Sequence, residues 1–158
     1  MDFSLRETIA TDPGALRETL RALFLAQPLA VLSTSDEGQP YCSLVAFAST
    51  DDVGSLVFAT SRSTRKFTNL ARDPRVALLI DNRSNEEADF HDATAVTATG
   101  RAGEVSGGER DRLLKLYLAR HPRLEEFARS PECALVEVRV SFYTVVSQFQ
   151  QVTTLEIA

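Results

Sequence analysis

The sequence predicts a β-rich α+β fold built on a six- or seven-stranded antiparallel barrel with short flanking helices. Short β-type runs follow one another across tight-turn signals, as at Asp36-Glu37-Gly38 and residues 51–54. Helical stretches are few and irregularly placed, so the regular alternation of a wound parallel sheet is missing. The last long segment alternates, with Val136, Val138, Val140 and Phe142 on one face and Glu137, Arg139 and Ser141 on the other, which is the pattern of a half-buried strand.

Each element has its own local reason. Asp12 before Pro13 reads as an N-cap and first helical position, and Leu16, Leu20, Leu23 and Phe24 line one side of a helix over residues 13–27. Residues 29–34 and 41–48 form a hairpin about the Asp36-Glu37-Gly38 turn, and residues 55–60 add a third strand. Ser61, Ser63 and Thr64 are capping residues ahead of a short helix whose buried side carries Phe67 and Leu70. Asp73-Pro74 ends it, and Val76 to Ile80 is apolar enough to be a strand buried on both faces. Residues 83–92, with Glu86, Glu87, Asp89 and Asp92, form an acidic loop before β-type sequence resumes over residues 94–105. Ser106 and Glu109 have capping-box spacing for a helix that buries Leu113, Leu114, Leu116 and Tyr117 and ends at His121-Pro122. A shorter helical piece covers residues 124–128.

At 158 residues and 44% hydrophobic content the chain suits one domain, residues 1–158, with the barrel over about residues 29–149. The net charge of −5 supplies no global basic field for nucleic acid or an anionic membrane. No leader pattern and no membrane-length apolar run is present, so a cytoplasmic protein is expected. Cys42 and Cys133 are too few and too far apart for a disulfide framework or a zinc site, and read as buried, inert thiols. His91 and His121 lack a second ligand at metal spacing; His91 reads as a loop residue and His121 as a helix-end cap. No catalytic residue is assigned.

The informative stretch is residues 58–72. Arg62, Arg65, Lys66 and Arg72 stand there without one acidic neighbour, against the acidic balance of the whole chain. Hydroxyls from Thr60, Ser61, Ser63 and Thr64 accompany them at a helix entrance, where unpaired amides and the helix dipole favour an anion. A phosphate monoester matches this set. A surface helix with capping hydroxyls and a solvated cationic face matches it too.

Thr60-Ser61-x-x-Thr64-Arg65-Lys66-x-x-Asn69-Leu70 followed by Asp73-Pro74-Arg75-Val76 resembles the phosphate-binding segment of the pyridoxamine-phosphate-oxidase-like, FMN-binding split barrels. Gly38-Gln39-Pro40 leading into Tyr41-Cys42-Ser43-Leu44-Val45 resembles the family's preceding strand. The likeness covers about residues 20–149 and is specific over residues 38–80. It implies a split barrel that binds FMN, with Arg65 and Lys66 on the phosphate, Thr60, Ser61 and Thr64 assisting, and Ser43, Leu44 and Val45 along the ribityl chain and ring. It also implies a homodimer with the flavin at the interface. Tyr41, Tyr143, Ser147 and Gln148 are candidates near the ring.

True pyridoxamine-phosphate oxidases carry an arginine where Ser43 stands, a glutamine near Ala95, and a C-terminal substrate segment with tryptophan, whereas this chain has no Trp. Oxidation of vitamin B6 is therefore not expected. Tyr117-Leu118-Ala119-Arg120-His121-Pro122 and the Gly-x-Pro-Tyr strand look more like the haem-utilisation branch, without its histidine extension. The leading expectation is an FMN-dependent oxidoreductase of a small-molecule substrate. The alternatives are a non-catalytic flavin or haem carrier, a deazaflavin-dependent reductase and a cofactor-free dimeric scaffold.

Overall fold

The computed structural model describes residues 4–157. Its centre is a closed barrel of six antiparallel strands: β2 (Leu29–Asp36), β3 (Gln39–Ser49), β4 (Ser55–Ser61), β5 (Arg75–Asp81), β6 (Ala95–Glu104) and β7 (Cys133–Ser147). Around the barrel the order is β4-β3-β2-β5-β6, closed by β7, which pairs with both β6 and β4. Two further strands extend the sheet: β8 (Gln151–Glu156) runs antiparallel to the far half of β7, and β1 (Arg6–Ile9) lies parallel to β8.

Several local expectations hold. Asp12 caps α1 (Pro13–Ala26) by accepting from the Ala15 amide at 3.0 Å. Glu37 and Gly38 take φ values of 50° and 86°, the left-handed pair that a two-residue hairpin turn needs. Helix α2 (Arg65–Arg72) begins at Thr64, whose Oγ1 accepts from the Phe67 amide at 3.3 Å.

The two helices close opposite needs of the barrel. Leu20 and Phe24 of α1 are buried in the main core, with the Phe24 ring 5.8 Å from Phe47 and 5.7 Å from Tyr143. Each such side chain stabilises the fold by roughly 1.5–3 kcal/mol. α2 is tied down by Leu70 and by Asn69, whose Nδ2 donates to Thr34 Oγ1 at 3.1 Å in a fully buried pair. Outside β4 and β7, α4 (Gly107–Arg120), a 3-10 turn (Pro122–Leu124) and α5 (Glu125–Arg129) cover a second cluster of Val57, Leu113, Leu114, Tyr117, Ala128 and Leu135.

The structure corrects the sequence reading in five places. The alternation along β7 breaks at Ser141, which the β6 pairing skips between Val140 and Phe142. Phe142 therefore turns outward, and Tyr143 and Val145 point into the core instead. The same region explains Gly100, where a Cβ would meet the Arg139 carbonyl oxygen at 2.2 Å. β5 buries only Val76, Leu78 and Ile80; Ala77 and Leu79 on its outer face are half-exposed, not buried. The acidic loop contains a helical turn, α3 (Asp89–Asp92), built by Asp89 accepting from the Ser84, Asn85 and Glu86 amides, and His91 lies on it. Ser106 makes no side-chain cap, and Glu109 pairs with Arg112 at 2.7 Å instead of closing a capping box. Cys133 is buried, and burial pushes its thiol pKa up, but Cys42 is exposed on the outer face of β3.

Candidate functional site

The β4–α2 connection folds into a compact hydroxyl cluster because each side chain finds a local partner. Thr60 Oγ1 and Thr64 Oγ1 lie 2.9 Å apart, Thr64 Oγ1 donates to the Ser61 carbonyl at 2.9 Å, and Ser61 Oγ is 2.9 Å from Ser63 Oγ. These bonds fix the entrance of α2. Beyond them the first two helical amides, those of Arg65 and Lys66, have no intrachain acceptor among the described residues. Both sit at the positive end of the helix dipole.

The four cations of this segment fare differently. Arg62 is held by Glu104 at 2.5 and 3.2 Å and by the Pro131 carbonyl at 2.7 Å. Arg72 faces Asp36 at 3.9 Å. Arg65 and Lys66 have no carboxylate partner among the described residues; Arg65 places its guanidinium carbon 4.9 Å from the centroid of the Tyr41 ring. The two free cations are the two that the motif assigns to a phosphate.

A cavity of about 300 Å³ opens at this point, lined by Leu44, Val45 and Ala46 of β3, Ala59, Thr60 and Ser61 of β4, Thr64 and Lys66 at α2, and Tyr117, Leu124 and Phe127 from the α4–α5 side. Its polar groups gather at the α2 end and its apolar groups at the other, the division a ligand with an anionic tail and a flat apolar body requires. Six of the eight expected residues line it: Leu44, Val45, Thr60, Ser61, Thr64 and Lys66. Arg65 stands beside it over Tyr41. Ser43 is not in the lining. The pleat of β3 turns Ser43 and Val45 to the same inner face as their cross-strand partners Leu32 and Ala30, while Leu44, 63% exposed, projects outward. Ser43 Oγ is buried without a hydrogen-bond partner, a polar atom left unsatisfied beside the site.

Leu44 also borders a second depression of about 240 Å³ with Leu29, Val31, Leu79, Asp81 and Arg83. Cavity and apolar barrel face are thus continuous through one side chain. Residues that the sequence reading missed are Ala46 and Ala59, which adjoin expected residues on β3 and β4, and Tyr117, Leu124 and Phe127; these last three come from elements distant in the chain, and only the packing of the α4–α5 segment on β4 brings them here.

The remaining candidates lie elsewhere. Tyr143 is fully buried and donates to the Val53 carbonyl at 2.6 Å, so it is a core residue. Ser147 ends β7, and Gln148 lies in the β7–β8 turn, where Gln148, Phe149 and Gln150 all have positive φ. His121 follows α4, with Nε2 2.7 Å from the Phe47 carbonyl oxygen and its ring edge-on to Tyr117. No group of three or more potential metal ligands occurs among the described residues.

Comparison with known proteins places this architecture. The chain superposes on a haem-binding protein from Mycobacterium smegmatis with a TM-score of 0.77 at 22% identity, covering 93% of this chain and 60% of that one. It superposes on General Stress Protein 26 from Bacillus anthracis str. Sterne with a TM-score of 0.67 at 18% identity (90% and 98% covered). A FAD-binding protein from Mesorhizobium loti gives 0.64 at 17% identity (84% and 91% covered). At these identities the likeness is one of fold. No curated protein matches the chain in sequence. The sequence model of the pyridoxamine 5'-phosphate oxidase family, however, matches residues 16–146, which include the barrel, the α2 entrance and the cavity. The chain therefore belongs to the pyridoxamine 5'-phosphate oxidase-like family of split barrels.

Proposed function

We propose that this protein is an FMN-binding flavoprotein that acts as an oxidoreductase on a small molecule. The observation that carries the reading is the pair Arg65 and Lys66, left without carboxylates at a helix entrance that borders a cavity with apolar walls. Two uncompensated cations, two free amides and a ring of short hydroxyls form the donor set a phosphate dianion needs. Thr60, Ser61 and Thr64 hold the entrance in shape, Arg65 and Lys66 neutralise the phosphate, and Leu44 with Val45 gives the ring an apolar wall. Ser43 shares the inner face of the same strand with Val45 but lies outside the cavity lining. When bound, FMN supplies one- or two-electron transfer; the chain contributes binding, orientation and exclusion of water.

The same reading extends to assembly. Leu29, Val31, Leu44 and Leu79 form an outward apolar row across β3, β2 and β5, in register at Val31–Leu44 and Val31–Leu79. A second copy covering that row would place the flavin between protomers, since Leu44 belongs to both surfaces. We assign the homodimer on this ground. A cytoplasmic location accords with two free cysteines, Cys42 and Cys133, and no helix among the described residues is long and apolar enough to cross a membrane.

Haem is the second reading, favoured by the fold likeness to the mycobacterial haem-binding protein. The cationic entrance would suit its propionates, but neither His91 nor His121 lines the cavity, which leaves FMN the better fit. The test is the absorbance spectrum of the purified protein before and after addition of FMN, with the released cofactor weighed by mass spectrometry. Flavin bands and released FMN are expected. A Soret band, a deazaflavin, or no uptake of any cofactor would overturn the assignment.

A further inference from the structure

We propose that Tyr41 is a positioning residue: by holding the Arg65 guanidinium on its ring face, it makes the site select phosphorylated over unphosphorylated flavin. The inference rests on the phosphate assignment above and adds to it a residue that does not touch the phosphate.

Most paired arginines of this molecule are held by acids. Arg62, Arg75, Arg112 and Arg129 are each engaged by a carboxylate, which occupies the N–H edge of the guanidinium. Arg65 is engaged by an aromatic face, 4.9 Å from guanidinium carbon to ring centroid. A ring face restrains the group without neutralising it and leaves the in-plane donors free for an incoming anion. Because Arg65 is otherwise exposed, its long side chain would lose rotamer freedom on binding; contact with Tyr41 removes part of that loss beforehand.

The fold fixes the ring where it is needed. Tyr41 pairs with Thr34 across the β2–β3 hairpin, and Thr34 is the residue that Asn69 of α2 grips through its buried hydrogen bond. One ladder position therefore ties the strand that carries Tyr41 to the helix that carries Arg65. The sequence alone had set Tyr41 near the flavin ring; the geometry moves its role to the phosphate end.

The experiment is a titration of FMN and of riboflavin into the wild type, Tyr41→Phe, Tyr41→Leu, Arg65→Ala and the Tyr41→Leu/Arg65→Ala double variant. Riboflavin lacks the phosphate, so the ratio of the two affinities isolates it. Tyr41→Leu should weaken FMN by about 2- to 5-fold, the range of an exposed cation–π contact, while riboflavin affinity stays constant. Tyr41→Phe should match the wild type, and Tyr41→Leu should add nothing once Arg65 is gone. A wild type that selects FMN while Tyr41→Leu keeps the same ratio, or weakens both flavins equally, overturns the role of Tyr41 and leaves the phosphate site standing. A wild type that does not distinguish the two flavins overturns the phosphate site and this inference together.

Discussion

Two helical regions of this barrel carry arginines at the surface, and they use them in opposite ways. On the α4–α5 side, Arg112 pairs with Glu109, Arg129 with Glu125, and Arg120 donates to the Leu25 and Gln27 carbonyls at 2.9 Å, where α1 ends. Those three arginines are engaged by the fold, although Arg120 Nε is itself buried without a hydrogen-bond partner and Lys115 and Arg123 of the same side have no ion pair among the described residues. At the α2 entrance, Arg65 and Lys66 have no such partner, although carboxylates are more numerous than cations in the chain as a whole. The difference separates charge that serves structure from charge kept available for a ligand. Composition already hints at the difference, since residues 58–72 hold no acidic side chain while Glu109, Asp111, Glu125 and Glu126 stand among the cations of α4 and α5; the pairing pattern shows which cations are engaged.

Replacing the cations of each region by alanine separates the two roles. Arg65→Ala/Lys66→Ala should cost about 3–6 kcal/mol of FMN affinity, from two charge-assisted contacts of about 1.5–3 kcal/mol each, with little change in unfolding free energy. Arg112→Ala/Arg129→Ala should leave FMN affinity where it was. Calorimetric titration of both variants decides the matter, and equal losses would show that the site responds to net charge alone.

A second contrast concerns pH. Burial pushes the Tyr117 hydroxyl up to about 12, from an ordinary value near 10, under the α4–α5 cover, and it donates to the Ala46 carbonyl at 3.1 Å. The folded pKa is raised, so the contribution is fully present below about pH 10 and is lost as pH rises toward 12. Denaturant unfolding across that window should show a fall on the order of 2 kcal/mol in the wild type, smaller in Tyr117→Phe. A fall of the same size in the variant would assign the alkaline limb to other groups, with Tyr143 foremost because burial raises its hydroxyl too.

Of similar size is the tie between α2 and the barrel. Asn69→Ala strands Thr34 Oγ1 in the core and should cost about 1–3 kcal/mol of stability, with FMN affinity falling only as far as the helix shifts. Thermal unfolding with and without FMN measures both. Unchanged stability would mean that Thr34 finds another partner.

How much of this was readable beforehand follows the locality of the interactions. The α1 cap at Asp12, the turn at Glu37-Gly38 and the α2 cap at Thr64 are contacts within a few residues, and the sequence shows them. So is the cationic entrance, because Arg65 and Lys66 are adjacent. β1 and β8 escaped because each is defined by a distant partner: β8 is a strand through its pairing with β7, and Arg6–Ile9, exposed along its whole length and without apolar alternation, becomes one only by pairing with residues 151–154 of β8. The outward turn of Phe142 was equally hidden, since the extra residue at Ser141 is defined by its register against Thr99 and Gly100. The free state of Arg65 and Lys66, as against the paired state of Arg62, depends on Glu104, which lies 42 positions away from Arg62. Long-range pairing is what the sequence does not state.

The most direct measurement is a crystal structure of the protein grown with FMN. The phosphate is expected within hydrogen-bonding reach of the Arg65 and Lys66 side chains and the α2 amides, with the ring beside Leu44. A flavin seated instead in the larger cavity of about 410 Å³ between α1 and α4, lined by Phe24, Ser49, Leu116 and Arg120, would contradict that placement.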